Sequence, residues 1–571
     1  ANMMKYEAGK VYHVEAVLST VDRNIQVYVD GKRVGLRMFY APVAAVERIV
    51  FRTGVPRTFP TVDTPADQTY DLPNAGAQDT LVEYGIANVK TSSTDKDASS
   101  AFLKYADFSH YADYFNGMED ENIVQAIPNA KASEWMKENI PLFECPQHNF
   151  EEMYYYRWWS LRKHIKETPV GYGMTEFLVQ RSYSDKYNLI ACAIGHHIYE
   201  SRWLRDPKYL DQIIHTWYRG NDGGPMKKMD KFSSWNADAV LARYMVDGDK
   251  DYLLYMKKDL ETEYQRWEST NRLKNGLYWQ GDVQDGMEES ISGGRRKKYA
   301  RPTINSYMYG NAKALSCIGI LSGDEGMAMK YGMRADTLKN LVENELWNTR
   351  HQFFETMRTD SSANVREAIG YIPWYFNLPD TTKKYEVAWK EILDEKGFSA
   401  PYGLTTAERR HPEFRTRGVG KCEWDGAIWP FASAQTLTAM ANFMNNYLQT
   451  VLSDSVYFRQ MELYVESQYH RGRPYIGEYL DEVTGYWLKG DQERSRYYNH
   501  STFNDLMITG LIGLRPRLDN TIEVNPLIPV DKWDWFCLDN VLYHGHNLTI
   551  LWDKNGDRYH CGKGLRIFVD G

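Results

Sequence analysis

The sequence is poor in cysteine and has no cysteine motif. Its 571 residues include six cysteines, none of which belongs to a C-x-x-C pair: Cys145, Cys192, Cys317, Cys422, Cys537 and Cys561. This spacing indicates neither a zinc site nor a dense disulfide framework. We expect most of the six to be buried thiols.

Long apolar runs and basic runs are also missing. No apolar stretch approaches the roughly 20 residues that a membrane helix needs, and Ala1 does not begin a signal-peptide pattern. The sequence therefore predicts a soluble chain without a membrane partner. A net charge of -8, a pI near 6.0 and the lack of a Lys/Arg-rich run argue against a nucleic-acid partner.

Aromatic residues, by contrast, are abundant. The chain has 42 Tyr and 17 Trp, and these side chains combine an apolar ring with a polar tip that suits sugar binding. A large helical core also consumes aromatic residues, so composition leaves the two explanations about equal.

Residues 1–95 have the pattern of β-structure. Tyr12–Val17 alternates in polarity, Ile25–Val29 runs into the hairpin signal Asp30-Gly31, and Glu47–Arg52 adds another strand. This region resembles part of a concanavalin-like jelly roll of the laminin G type, and we expect it to be incomplete. A linker rich in Pro, Thr and Asp follows over 55–100, with a short strand near Val82.

Helical periodicity then recurs from about 108 to 515, in about a dozen segments joined by long loops, among them 186–204 and 501–512. We predict a mainly α fold in which paired helices close into an (α/α)6 toroid. The predicted domains are a β region at 1–95, a linker and entry segment at 96–150, a catalytic domain at 151–515 and a small β-domain at 516–571.

Three short stretches carry candidate chemistry. "GDVQDGMEES" (281–290) places four carboxylates together, "GEYLDEVTGYW" (477–487) sets a Glu before an aromatic residue and a Thr-Gly turn, and "CEWDGAIWP" (422–430) brackets Asp-Gly with two Trp. Glycoside hydrolysis needs two carboxyl groups on either side of the scissile bond, which distant loops can supply.

These stretches resemble, in the same order, motifs of the (α/α)6 glycoside hydrolases that include mannosylglycerate hydrolase, trehalase and processing α-glucosidase I. The resemblance implies that Glu288 of "GMEES" is the general acid and Glu478 of "EYLDEVTG" the general base of an inverting reaction. The chain departs from the family pattern twice, because Glu replaces Asp at 288 and Asp425 stands where the family has Arg.

Each assignment has an alternative. Asp285 is a second candidate for the acid, with Glu288 then pairing with Arg295 or Arg296, and Asp282, Asp285 and Glu289 are candidate calcium ligands, although their spacing does not fit an EF-hand. Glu478 could instead pair with Arg471 or Arg473. We expect no metal and no cofactor.

Further residues are predicted to bind substrate. They are Trp424, Asp425 and Trp429, with Asp285, Tyr479 and His500 beside the catalytic motifs, and, by resemblance to the family's first helical hairpins, Tyr154, Arg157, Trp158, Glu176 and Arg202. Trp424 and Trp429 are also plausible core residues. The pair His196-His197 sits in an apolar run and is more typical of a helical core than of a metal site.

The sequence thus predicts an exo-acting glycoside hydrolase that releases a terminal sugar from an oligosaccharide or polysaccharide, in the periplasm or outside a bacterial cell. An L-arabinofuranosidase or L-rhamnosidase activity is an alternative. Two further alternatives are a non-catalytic glycan-binding protein and an (α/α)6 epimerase or lyase that uses His500 for proton transfer. Sugar identity and oligomeric state are not predicted.

Overall fold

The computed structural model describes residues 10, 12–19, 24–38, 102–381 and 385–570. Its internal contacts divide the chain into two compact units, Ala1–Ser99 and Ser100–Gly571. The predicted strand at 47–52, and the predicted linker at 55–100 with its strand near Val82, lie outside the described residues.

The first unit contains a three-stranded antiparallel sheet in the order β1-β2-β3. The strands are β1 (Val14–Ser19), β2 (Asn24–Val29) and β3 (Lys32–Met38). Asp30 and Gly31 join β2 to β3 with φ angles of 51° and 80°, which are the two positive values that a type I′ hairpin turn requires. The hairpin predicted from this dipeptide is therefore confirmed.

The second unit is mainly helical. Its α-helices are α1 (Tyr105–Asn116), α2 (Ala132–Asn139), α3 (His148–Arg162), α4 (Ile194–Ser201), α5 (Lys208–Arg219), α6 (Asn236–Asp247), α7 (Lys250–Asn271), α8 (Pro302–Ser322), α9 (Glu325–Leu341), α10 (Ile372–Tyr375), α11 (Pro430–Asn446), α12 (Asp454–Ser467) and α13 (Asn504–Leu506). The segment 96–150, predicted to be a linker and entry segment, contains α1 and α2.

Short strands lie in the loops between these helices, and longer strands follow the last helix. They are β4 (Leu142–Glu144), β5 (Ile165–Thr168), β6 (Gly171–Met174), β7 (Trp279–Gln280), β8 (Tyr299–Ala300), β9 (Trp347–Asn348), β10 (Phe353–Phe354), β11 (Ser399–Ala400), β12 (Gly403–Leu404), β13 (Tyr469–His470), β14 (Arg473–Pro474), β15 (Trp535–Tyr543), β16 (His546–Asp553) and β17 (Gly564–Val569).

The helices form a closed ring. Within the described residues, α4 contacts α6, α6 contacts α8, α8 contacts α10, α10 contacts α11, and α11 contacts α13, which returns to α4. Four of these inner helices carry an outer helix: α5 packs on α4, α7 on α6, α9 on α8 and α12 on α11. This is the (α/α)6 toroid that the sequence predicts.

Two predicted helices are shorter than expected. In the segment 186–204 a 3-10 turn at Ala191–Ala193 precedes the α-helix, which begins at Ile194, because the chain before it turns through Asn188 with a φ of 66°. The segment 501–512 forms α13 and then a π-helical turn at Met507–Leu511.

The centre of the ring is a cluster of aromatic rings around Trp235, whose side chain is 0% exposed. The rings of His196, Tyr307 and Phe431 lie 5.0, 4.8 and 6.4 Å from it between centroids. Gly195 of α4 faces the indole so closely that a Cβ would stand 2.2 Å from it. The close approach of α4 to this core therefore requires glycine at 195.

The closing sheet is built onto the helical domain. Its strand order is β17-β16-β15-β4, so β15 pairs with a strand that precedes α3 in the chain. Trp533, just before β15, packs its ring 5.2 Å from Phe150 of α3 and 5.4 Å from Phe458 of α12. The C-terminal strands are thus one packing unit with the toroid.

We therefore expect Trp533→Ala to lower the free energy of unfolding by about 3–5 kcal/mol, because it opens a cavity between the sheet and two helices. Chemical denaturation followed by circular dichroism measures this loss. The control is Tyr114→Ala on α1, where 42% of the side chain is exposed and a change within about 0.5 kcal/mol is expected. Equal effects of the two substitutions would contradict the packing role of Trp533.

Candidate active site

Three glutamates from separate loops converge at the ring. Glu176 follows β6, Glu288 lies between β7 and β8, and Glu478 follows the β13–β14 hairpin. The three are electrostatic neighbours, since the charges of Glu478 and Glu288 both raise the pKa of Glu176. The structure therefore brings together the two residues predicted as catalytic and one predicted to bind substrate.

Glu288 is poised to hold a proton near neutral pH. Burial is the main cause that raises its pKa to about 7, and the negative charges of Glu478 and Asp282 add to the effect. A carboxyl group with such a pKa is still largely protonated in mildly acidic solution, as a general acid must be.

Asp285, the alternative acid, belongs to a buried hydrogen-bond network. Its carboxylate is 0% exposed and accepts hydrogen bonds from Arg301 Nε at 2.6 Å, from the Thr303 hydroxyl and from the Ser233 hydroxyl. Arg301 is itself 0% exposed. The network ties the loop to the first turn of α8 and to the segment before α6, which is a positioning role.

The neighbouring acids do not share a common centre. Asp282 accepts from the backbone N–H of Val283 at 2.9 Å, and Glu289 pairs with Arg295. With Asp285 bound to Arg301, the three proposed calcium ligands each have a different partner. The predicted alternative pairing of Glu288 with Arg295 is likewise replaced by the pair between Glu289 and Arg295.

Glu478 stands among cations. Lys489 Nζ lies 3.3 Å from each of its carboxylate oxygens, and Arg494 Nη2 lies 3.4 Å from Oε2. Ser495 Oγ is 3.4 Å from the same oxygen. Neither of the predicted alternative partners is involved in these contacts, and Arg471 pairs with Asp491 at 2.8 Å.

Lys489, Arg494 and Ser495 are site residues that the sequence did not reveal. They follow Glu478 along the chain in the segment "WLKGDQERS", whose charges resemble an ordinary solvated loop. The one available signal was that all three lie between the "EYLDEVTG" and "YYNHSTF" motifs.

Glu176 is the most enclosed of the three glutamates. Tyr498 donates a hydrogen bond of 2.6 Å to its Oε1, and the Cys192 thiol lies 3.1 Å from Oε2. Burial raises the pKa of Glu176 to about 7, although both hydrogen bonds act in the opposite direction. The site thus contains a second carboxyl group that can hold a proton near neutral pH.

Three aromatic rings form a continuous stack beside the carboxylates. The rings of Trp424 and Trp429 lie 4.4 Å apart, and those of Trp429 and Tyr479 lie 4.5 Å apart, with interplanar angles of 18° and 20°. The indole N–H groups of Trp424 and Trp429 have no hydrogen-bond acceptor among the described residues. Tyr479, which follows Glu478 in the chain, joins the stack to the base loop.

Asp425 shapes a loop with one of its oxygens. Its Oδ2 accepts from the backbone N–H groups of Arg417 and Gly418 at 2.6 and 3.0 Å, while its Oδ1 has no partner in the described part of the chain. A Cβ at Gly418 would lie 2.7 Å from that Oδ1. Asp425 therefore holds the 415–418 turn and retains one free acceptor atom.

His500 lies behind the site as a neutral ring. Its ring centroid is 3.8 Å from that of Tyr498 and 6.2 Å from that of Trp429. Burial, followed by the neighbouring His196, lowers its pKa well below the ordinary value. Burial also lowers the pKa of His196 and that of His197, whose Nε2 hydrogen-bonds the Asn499 carbonyl at 2.7 Å, so these histidines belong to the core.

The remaining predicted substrate contacts have structural partners. Tyr154 donates to the Pro141 carbonyl at 3.0 Å, and Trp158 is 0% exposed. Arg202 pairs with Asp505 at 2.8 Å, which links α4 to α13. Arg157 donates to Gln468 Oε1 and to the Ser501 carbonyl, both at 2.7 Å. Within the described residues, none of the four hydrogen-bonds to one of the three glutamates.

The described residues contain no group of three or more His, Cys, Asp or Glu side chains arranged to hold a metal ion. In the same part of the chain, no helix combines the length and the apolar character needed to cross a bilayer.

A helical toroid whose loops converge on paired carboxylates and stacked tryptophans defines the class of (α/α)6 glycoside hydrolases. The family model for the mannosylglycerate hydrolase MGH1-like glycoside hydrolase domain matches residues 186–501, more than half of the chain. The chain belongs to this family. Glu288 and Glu478 lie within the matched residues, and Glu176 lies before them.

Two further family models match the flanks. A sialidase-like carbohydrate-binding module matches residues 1–68, and the C-terminal domain of glycosyl hydrolase family 65 matches residues 514–571. The N-terminal match is thus to a carbohydrate-binding module, whereas the likeness to laminin G stays a prediction.

Solved structures extend the comparison. A sialidase is 94% identical over 100% of this chain, with a TM-score of 0.83, and this chain spans 53% of that protein. The GH63 mannosylglycerate hydrolase from Thermus thermophilus in complex with glucose is 12% identical, with a TM-score of 0.47, over 62% of this chain and 99% of its own. The GH78 rhamnosidase of a Bacillus species is 11% identical, with a TM-score of 0.49, over 72% of this chain and 40% of its own.

The buried network of Asp285 gives the first prediction about the site. We expect Asp285→Asn to lower the free energy of unfolding by about 3–5 kcal/mol, because it leaves the buried Arg301 without its counter-charge. Thermal or chemical denaturation at pH 7 measures the loss.

Glu288→Gln is the matched comparison, and we expect it to be at least as stable as the parent protein at pH 8. The folded pKa of about 7 exceeds the ordinary 4.5, so stability from this group is fully present below pH 4.5 and is lost as the pH rises through 7. Glutamine does not ionise, so Glu288→Gln does not lose stability as the pH rises through 7. If Glu288→Gln lowered the free energy of unfolding while Asp285→Asn left it unchanged, Glu288 would be the positioning residue and Asp285 the candidate acid.

Proposed function

We propose that this chain is an exo-acting glycoside hydrolase that removes a terminal sugar from an oligosaccharide or polysaccharide. The observation that carries the proposal is the contrast between two carboxyl groups at one site: Glu288 is partly buried with a raised pKa, while Glu478 has two cations beside it. Glycosidases need such a pair, one carboxyl protonated and the other ionised.

In the proposed mechanism Glu288 donates its proton to the glycosidic oxygen as the bond to the anomeric carbon breaks. Glu478 accepts a proton from a water molecule that attacks the anomeric carbon from the opposite face of the ring. Lys489 and Arg494, which lie 3.3 and 3.4 Å from the carboxylate of Glu478, hold it in place, and this carboxylate takes the proton from water as the sugar product forms. The reaction then inverts the anomeric configuration.

The aromatic stack and Glu176 supply substrate contacts in this proposal. The free indole N–H groups of Trp424 and Trp429 are donors for sugar hydroxyl groups, and the free Oδ1 of Asp425 is an acceptor. Glu176 contributes a third carboxyl group that, with its pKa raised to about 7 chiefly by burial, can hold a proton beside the substrate.

The proposal does not specify the identity of the released sugar. The 94% identical relative is a sialidase, but this chain spans only 53% of it, so the sialidase activity of that protein is not assigned to this half. An L-arabinofuranosidase or L-rhamnosidase activity remains an alternative within the same mechanism. A periplasmic or extracellular location is part of the proposal.

The other two alternatives are less well supported. A non-catalytic glycan-binding protein does not need the combination seen here, in which Glu288 has a raised pKa and Glu478 has two cations beside it. An epimerase or lyase would need His500 as a proton-transfer group, and the lowered pKa of this buried ring disfavours its charged form.

We expect Glu288→Gln and Glu478→Gln each to reduce turnover by at least 10²-fold, because general acid–base catalysis typically contributes 10²–10⁴-fold. A panel of aryl glycosides identifies a cleaved substrate, on which kcat is then measured. Glu289→Gln is the matched control, since Glu289 pairs with Arg295, and it should stay within a few-fold of the parent. If Asp285→Asn abolished activity while Glu288→Gln retained most of it, the acid would be Asp285.

The pH profile provides a second readout of the same prediction. Glu288 must be protonated to act, so kcat/KM should fall as the pH rises above about 7. Asp282→Asn removes a negative charge that raises the Glu288 pKa and should move this decline to lower pH. A decline unchanged in Asp282→Asn would contradict the coupling between the two carboxyl groups.

Inversion gives a separate prediction. A water molecule between Glu478 and the anomeric carbon requires carboxyl groups about 6.5–9.5 Å apart, against about 5–5.5 Å when the base is a nucleophile. NMR of the product within the first minutes, before mutarotation, should show the inverted anomer. Retained configuration, or a glycosyl adduct trapped on Glu478, would show instead that Glu478 is a nucleophile.

A further inference from the structure

A cavity of about 540 Å³ lies beside the loop that holds Glu478. One wall is the β13–β14 hairpin with the residues after it, and the other is the segment 490–497. Tyr156 of α3 and Met118 complete the lining. None of the three glutamates lines this cavity, so it is distinct from the candidate active site.

The cavity shares its wall with the catalytic loop. Arg494 and Ser495, which contact Glu478, lie within the wall segment 490–497. On the opposite wall Tyr475 comes three residues before Glu478, whose charge is one of the secondary causes that raise the Tyr475 pKa, after burial. A ligand in the cavity would therefore occupy the far side of the loop that positions the base.

One residue that lines the cavity, Tyr156, has a buried hydroxyl group without a partner in the part of the chain that the structure describes. The side chain of Tyr156 is 0% exposed, and its Oη has no hydrogen-bond partner among the described residues. Tyr475 and Arg496, which also line the cavity, are among its electrostatic neighbours. An orphaned buried hydroxyl is costly to a fold unless something binds it, and a polar ligand in the cavity would satisfy it.

The charges at the rim have a surplus of one positive charge. Arg471, Arg473 and Arg496 face Asp491 and Glu493. Arg471 is already paired with Asp491, and Arg496 has acidic neighbours of its own in Glu119, 3.8 Å away, and Glu493. Arg473 is exposed and its side chain has no ion pair or hydrogen bond in the described part of the chain, so its guanidinium is the group available to an anion.

We propose that this cavity binds an acidic sugar unit of a glycan, with the carboxylate or sulfate of the sugar on Arg473 and a ring hydroxyl on Tyr156. The glycan nature of the ligand rests on the proposed glycosidase function. Guanidinium groups bind such anions through two parallel hydrogen bonds, and a volume of about 540 Å³ accommodates a small ligand.

Binding is tested with a matched pair of probes, methyl β-D-glucuronide and methyl β-D-glucoside, which differ only in the carboxylate. Ligand-observed NMR on the full chain measures both affinities. The glucuronide should bind at least about tenfold more tightly, since a hydrogen bond to a charged group contributes about 1.5–3 kcal/mol. Equal affinities, or no binding of the glucuronide, would overturn the proposal.

Variants locate the site. Arg473→Ala should weaken glucuronide binding at least about tenfold, and Tyr156→Phe, which removes one oxygen and opens no large cavity, should weaken it several-fold. Arg459→Ala on α12 is the control for loss of an exposed arginine, with 51% of its side chain exposed, and should have no effect. Unchanged binding in Arg473→Ala would overturn the proposal.

Glu288→Gln separates this site from the active site. Glucuronide binding should persist in that variant, because Glu288 does not line the cavity. If binding were lost in Glu288→Gln but kept in Arg473→Ala, the probe would occupy the active site and the proposal would be wrong. Failure of the proposed glycosidase function would be visible separately, as the absence of hydrolysis of the aryl glycosides.

Discussion

The buried ion pair between Asp285 and Arg301 is the interaction on which the geometry of the site depends. Arg301 precedes the first turn of α8, and Asp285 also accepts from Thr303 in that turn and from Ser233 before α6. One carboxylate thus fixes a long loop to two adjacent inner helices of the ring. Glu288 follows three residues later, so its position is set by a network in which it takes no part.

The same loop shows how the protein uses carboxylates in two ways. Asp285 is buried and accepts hydrogen bonds from three donors. Glu288 is partly buried, and after burial the charges of Glu478 and Asp282 raise its pKa, against the opposing effect of Arg295. Environment, and not residue type, separates a positioning carboxylate from a proton donor.

Much of the architecture follows from local sequence rules. The Asp30-Gly31 dipeptide predicts a hairpin because few residues tolerate two successive positive φ angles. The helical periodicity and the long loops between segments predict the toroid. The ends of α4 and α13 were harder to predict, because a turn at Asn188 and a π-helical turn at Met507–Leu511 interrupt apolar runs that look continuous.

The site was predictable only in part. Motif resemblance selected Glu288 and Glu478, which the structure brings together with Glu176. It could not assign Lys489 and Arg494 to the site, because pairing across a loop leaves no periodic signal. Nor could it separate Arg202, which pairs with Asp505 between two inner helices, from a residue that faces the substrate, since both roles call for a buried arginine in the same helical hairpin.

The acid and the base of the proposed mechanism interact electrostatically. The charge of Glu478 contributes to the raised pKa of Glu288, and Lys489 and Arg494 lie 3.3 and 3.4 Å from the carboxylate of Glu478. Protonation of Glu478 during water attack therefore removes part of the force that held the proton on Glu288, at the moment when that proton must leave. Because the charge of one group raises the pKa of the other and both act in one reaction, the losses caused by replacing each need not add.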